Sequence, residues 1–161
     1  MNQQIARVFE SAEGRYLSKA EQGVLRDSVK DLDARLRAME EIQSREQDIV
    51  ERVMKLLMQA YPDFENKHQE GQSKGTRDIS LVLRYASSAM VRNDPQWFET
   101  VLLRWFNTIL RGIGFTSNFV ADTYKALDRV VAEILSPPSA ALLRPFVAQA
   151  TDILSTGLTV S

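Results

Sequence analysis

An all-α fold is what this sequence predicts, on three grounds. Apolar residues recur every three or four positions along almost the whole chain. Helix-opening and helix-breaking residues punctuate that rhythm at intervals, and no stretch alternates apolar with polar residues as a half-buried strand would.

Taken in order, Ile5, Val8 and Phe9 fit an amphipathic first helix with little to bury against in so short a segment. Ser18 and Glu21 form a Ser-x-x-Glu capping box, and Leu25, Val29, Leu32, Leu36 and Met39 extend a stripe from it along one long helix. Ser44 and Gln47 repeat the device, which predicts a new helix near Ser44 burying Ile49, Val53, Leu56, Leu57 and Ala60. Tyr61-Pro62-Asp63 ends it, because the residue before proline is pushed out of the α region. Pro62 to Gly75 is polar and reads as the longest loop. A helix from about Thr76 to Arg92 comes next, burying Ile79, Val82, Leu83, Ala86 and Met90.

Asn93-Asp94-Pro95 is a stop and a restart, with Asp94 as cap and Pro95 at the first helical position. Trp97, Phe98, Val101, Leu102, Trp105, Phe106 and Ile109 then form the most aromatic face of the chain, read as core, with Trp97, Trp105 and Phe106 as the alternative lining of a pocket. Gly112 and Gly114 close that helix, and Thr116 or Ser117 opens one that runs to Ser136-Pro137-Pro138. A last helix starts from Ser139, with Pro145 bending its first part. Roughly seven or eight helices with short connections fall in the globin-like or bundle range.

Composition bounds the chemistry. With 161 residues, 44% apolar and 25% charged, the chain is an ordinary single domain. Its 20 basic and 21 acidic side chains give a net charge of −1, so no basic face recruits nucleic acid. There is no cysteine, which excludes thiolate metal sites, cysteine nucleophiles and any cofactor fixed by a thioether. His68 is the only histidine; it falls in the polar run, outside any apolar stripe, and reads as solvated, with no second ligand spaced near it. Glu40, Glu41, Glu46 and Asp48 read as a solvated acidic face rather than a metal site. No nucleophile–base pair or phosphate loop is present, so an enzyme is not expected. With no apolar run of membrane-spanning length, a cytoplasmic location without membrane insertion is expected.

One stretch carries more. Lys74-Gly75-Thr76-Arg77-Asp78-Ile79-Ser80-Leu81-Val82-Leu83-Arg84 resembles the chromophore-attachment region of phycobiliproteins, the light-harvesting subunits of phycobilisomes. In their α-type subunits it typically runs Lys-Cys-x-Arg-Asp-Ile-x-Tyr-Tyr-Leu-Arg. The stretches "AEGRYLSKAE" and "SREQDIVERVMKLLMQAYPD" resemble the family's amino-terminal and second long helices, so the likeness spans nearly the whole chain.

The resemblance implies a globin-like, phycocyanin-type helical domain with two additional N-terminal helices. The expected division is oligomerisation helices over 1–30, a globin-like core over 31–156 and a tail over 157–161. Ile5, Val8, Phe9, Tyr16 and Val24 are the expected interface positions, for pairing with itself or with phycobiliprotein subunits. It further implies a linear tetrapyrrole, a bilin, joined to the cysteine that Gly75 replaces. Without cysteine no bilin is covalently held, and Leu81-Val82 replace two pigment-packing tyrosines. What remains is Lys74 and Arg77 as cations for the bilin's two carboxylates, Asp78 as acceptor for its pyrrole N–H groups, and Arg84 as a further candidate contact. Asp78 in a first helical turn is also favoured by the helix dipole with no ligand present.

Three functions fit. The first is a pigment-free structural or regulatory subunit of the phycobilisome system, found in the cytoplasm or at the cytoplasmic face of thylakoid membranes through the phycobilisome. The second is a reversible, non-covalent bilin binder, acting as antenna, carrier or photosensor. The third is a globin-like sensor sharing only the fold. The missing cysteine and tyrosines favour the first; the retained charges favour the second.

Overall fold

The computed structural model describes residues 3–158, so the outermost residues of the expected N-terminal segment and most of the expected tail lie outside the described residues. Every element is helical: α1 Gln3–Ser11, α2 Lys19–Val29, α3 Leu32–Ala60, α4 Phe64–Lys67, α5 Gly71–Arg92, α6 Pro95–Phe98, α7 Arg104–Ile113, α8 Ser117–Ile134 and α9 Pro137–Ser155. A π-helical turn, Glu99–Leu103, joins α6 to α7. None of these helices is long and apolar enough to cross a membrane. The all-α, globin-like expectation holds.

Helix α3 runs through the centre and packs on α5, α8 and α9, while α8 lies along α9. Ile49, Val53, Val82, Leu83, Leu127, Val130, Leu143 and Leu154 meet in this core with essentially no exposure. Helices α1 and α2 form a separate pair, burying Val8 and Ala12 outside the main cluster. The Ser18 capping box is present, and Glu21 also accepts from Arg15 Nη2 at 2.7 Å, which ties α1 to the start of α2. Asp94 Oδ1 accepts the Trp97 N–H at 2.9 Å, and Thr116 caps α8 through Phe119 N–H, both as the sequence suggests.

The helix expected to begin near Ser44 does not exist as a separate element; α3 is one rod of 29 residues. Ala38, Ile42, Ile49, Val53 and Leu57 carry one buried stripe through Ser44, whose hydroxyl merely donates back to the Glu41 carbonyl. The break falls instead at Lys30–Asp31, inside the stripe that looked continuous. Arg35 closes it. This side chain, 6% exposed, donates Nη2 to the Ser28 carbonyl at 2.7 Å and Nη1 to the Val91 carbonyl. Carbonyls in the last turns of two helices thus converge on one guanidinium.

The long polar loop is also corrected: it contains α4, and α5 starts at Gly71 rather than Thr76. The Phe64 ring seats against Gly71, where a Cβ would lie 2.6 Å from Phe64 Cε1, so glycine is required by close approach. Asp78 therefore sits about two turns inside α5, and the dipole argument for it lapses. The acidic run is not simply solvated. Glu41 accepts the Ser136 N–H at 2.6 Å and both the Ser136 and Ser139 hydroxyls, capping α9 two residues before its expected start. Those bonds hold the Glu41 carboxyl below the usual carboxylate range. Pro145 lies inside α9.

The π-helical turn splits the aromatic face. Phe98, Leu102, Leu103 and Phe106 turn into the core, while Val101 and Trp105 are 43% and 56% exposed. The extra residue of a π turn rotates the succeeding helix relative to a regular one, so the expectation that the whole face is core fails at these two positions.

Candidate functional site

A cavity of about 640 Å³ opens between α3, the α3–α5 connector, α5, α7 and the start of α8. Its size falls within the usual range for small-molecule sites. Most of its wall is apolar or aromatic. Met54 and Leu57 come from α3, Ile79 and Leu81 from α5, and Trp105 and Ile109 from α7. Phe64, Phe115 and Phe119 close one end as a mutually packed trio, with ring centroids 5.0 to 6.2 Å apart. A bond of 2.5 Å from Tyr61 Oη to Asp122 pins the connector to α8, and that carboxylate pushes the Tyr61 phenol up to about 12.

The polar groups gather along α5. Lys74, Gly75, Arg77 and Asp78 all line the cavity. Arg77 donates through Nε and Nη2 to Asp78 Oδ1 at 3.2 and 3.1 Å, and Lys74 Nζ reaches the Gln69 carbonyl at 3.2 Å. Arg77 and Lys74 are well exposed, so their ion pairs are weak restraints and both can turn to another acceptor. Arg84, the fourth contact named from the sequence, is not brought to the cavity. Glu46 engages it through both carboxylate oxygens, the nearest at 2.6 Å from Nη2.

Sequence reasoning missed two wall residues. Tyr124, 3% exposed, lines the cavity, and its hydroxyl has no hydrogen-bond partner among the described residues. Burial, and then the Asp78 charge, push its phenol far up, so it stays a neutral donor. His68, read as solvated, also lines the cavity, half-buried against Phe64 and Phe115 at 5.1 and 4.8 Å. Phe64 four residues before it, and Phe115 and Phe119 opposite, were the signal for an aromatic wall.

Of the interface candidates, Val8 is buried within the α1–α2 pair and Ile5 and Val24 are half-buried. Phe9 and Tyr16 face outward, Tyr16 at 98% exposure. Val29 and Leu36 extend this outward apolar set along α2 and α3.

Arg77 and Lys74 can neutralise carboxylates at the mouth, Asp78 can accept N–H groups, and Tyr124 can donate to a carbonyl deeper in. At Gly75 an added Cβ would meet only the Met54 thioether, at 3.2 and 3.3 Å. Among the described residues no group of three or more acidic, histidine or cysteine side chains could hold a metal ion.

A family model described as phycobilisome protein matches residues 9–154. The chain is also similar to the allophycocyanin alpha-B chain of Cyanidium caldarium, 24% identical over 140 residues covering 82% of this chain and 85% of that one.

Proposed function

This chain belongs to the phycobilisome protein family, and on that premise we propose that it is a non-enzymatic subunit that holds a linear tetrapyrrole reversibly. The observation that carries this reading is the cavity. It is open, it keeps Lys74, Arg77 and Asp78 on its wall, and glycine stands at position 75 where a covalent hook would be. Had Leu81 and Val82 closed the space left by two tyrosines, a purely structural subunit would be the better reading; Val82 instead packs in the core and Leu81 lines an open wall.

The residues present suit a bilin. Arg77 and Lys74 would face its carboxylates and Asp78 its pyrrole N–H groups, while Tyr124 on the cavity wall offers a hydroxyl donor for a carbonyl. When bound, such a group supplies visible absorption; the chain supplies its conformation, its protonation at Asp78 and exclusion of water. The N-terminal pair, with Phe9 and Tyr16 outward, would dock the subunit to itself or to phycobiliprotein subunits.

Titration of the purified chain with biliverdin, followed by visible absorption, tests this. Binding at micromolar concentration with complete release of colour in acidic urea is expected. Asp78→Ala should weaken binding about tenfold or more, the equivalent of about 1.5–3 kcal/mol. No uptake by the native chain leaves only the assembly role.

A further inference from the structure

We propose that the same cavity also takes a closed, iron-bearing tetrapyrrole, a haem, with His68 as the iron's ligand. The inference rests on the tetrapyrrole reading of the cavity and adds His68, which that reading leaves idle.

Four observations converge on it. His68 is the only histidine of the chain and lies on the cavity wall. Its imidazole has no hydrogen-bond partner among the described residues, although the side chain is half-buried. Both nitrogens are thus left to meet a ligand, and a neutral imidazole nitrogen is a good iron ligand. Its place is fixed by its neighbours, since Phe64 is itself locked between Gly71 and the Phe119 ring, stacked at 5.0 Å.

The rest of the cavity suits a flat, apolar disc with two acid groups on one edge. Leu81, Trp105 and Ile109 supply apolar wall, and an indole that is 56% exposed gains cover when a ring system lies along it. At the mouth, Lys67 precedes His68 directly and has no ion-pair partner among the described residues, so it joins Lys74 and Arg77 as a cation for carboxylates. A closed macrocycle and its ring-opened form have nearly the same atoms and the same two propionates. A cavity sized for one therefore admits the other, and iron is what distinguishes His68 from the remaining wall.

The experiment titrates the full chain with haemin, with iron-free protoporphyrin and with biliverdin, by absorption and by electron paramagnetic resonance. The variant is His68→Phe, which keeps a ring between Phe64 and Phe115 and removes both nitrogens; His68→Gln serves if circular dichroism shows that His68→Phe has lost its helices. The native chain is expected to give the shifted Soret band and resonance of an imidazole-bound iron. The variant should bind haemin about tenfold more weakly or worse, without that spectrum, and His68→Gly with added imidazole should recover it. Protoporphyrin and biliverdin should bind native chain and variant within about twofold of each other. Equal haemin affinity and identical spectra in native and variant proteins would overturn the assignment of His68. Biliverdin bound and haemin refused overturns the haem inference and leaves the bilin reading standing, whereas refusal of both defeats both.

Discussion

Replacing Arg35 by methionine should loosen the joint between the N-terminal helices and the rest of the molecule. Methionine keeps a flexible apolar stem of similar reach, so what is lost is the guanidinium and its bonds to the Ser28 and Val91 carbonyls. Each bond from a charged donor is worth about 1.5–3 kcal/mol. Against this, no carboxylate pairs the buried guanidinium among the described residues, so its own desolvation is relieved on removal. The net loss should be about 2–3 kcal/mol. In a chain of 161 residues that lowers Tm by about 4–10 °C. Calorimetry measures the total, and hydrogen exchange localises it: amides of α2 and the last turn of α5 should exchange faster while those of α8 and α9 change least. Arg35→Lys should recover part of the loss, since one ammonium serves one carbonyl better than two. A fall in Tm below about 1 °C, or faster exchange spread evenly over the chain, would refute the joint.

Three further outcomes are expected. Gly75→Cys should fold with stability within about 0.5 kcal/mol of the native chain, because its Cβ displaces only the mobile end of Met54 while a helical glycine is removed. With a suitable lyase it should then keep bilin colour through acidic urea; a folded variant that never does so would show the wall to be wrongly placed for attachment. Glu41→Gln should cost about 0.5–2 kcal/mol at neutral pH. Because the folded carboxyl titrates below its unfolded value, this stabilisation is present above the ordinary glutamate range of about 4.3 and is lost as pH falls through the depressed value. Urea midpoints of the two proteins should therefore converge in acid, and a gap that persists there would remove Glu41 as the cause. Deleting the first 16 residues should give a monomer by sedimentation, as Phe9 and Tyr16 go with them; an unchanged sedimentation coefficient per chain would move the interface elsewhere.

The fold was legible where a side chain acts on its own neighbourhood. Ser18, Asp94 and Thr116 cap the helices they precede, and the stripe of α5 buries Ile79, Val82, Leu83, Ala86 and Met90 as its spacing marks. Legibility failed where a distant partner decides. Ser44 has the composition of a helix start, yet the stripe beneath it is held by α8 and α9, and the turn at Lys30 is closed by a carbonyl 56 residues from Arg35. Of the candidate site, the α5 charges could be named from the motif, but Arg84 could not be excluded without seeing Glu46 across from it, 38 residues away. His68 had a neighbouring sign in Phe64, but Phe115, Phe119 and Tyr124 join it only after folding, because a cavity wall is made by elements distant in sequence.

The undivided length of α3 has one more consequence. Arg35, which anchors the N-terminal pair, and Met54, which lines the cavity beside Gly75, stand on the same rod. Nineteen residues separate them, which in an uninterrupted α-helix is about 28 Å of rise with no hinge between. A ligand that pushed Met54 along its axis would carry Arg35 with it, and a partner gripping the N-terminal pair would hold the cavity wall still. Occupancy and assembly are thus levelled to one shaft, and a perturbation at either end is felt as a change of attitude at the other.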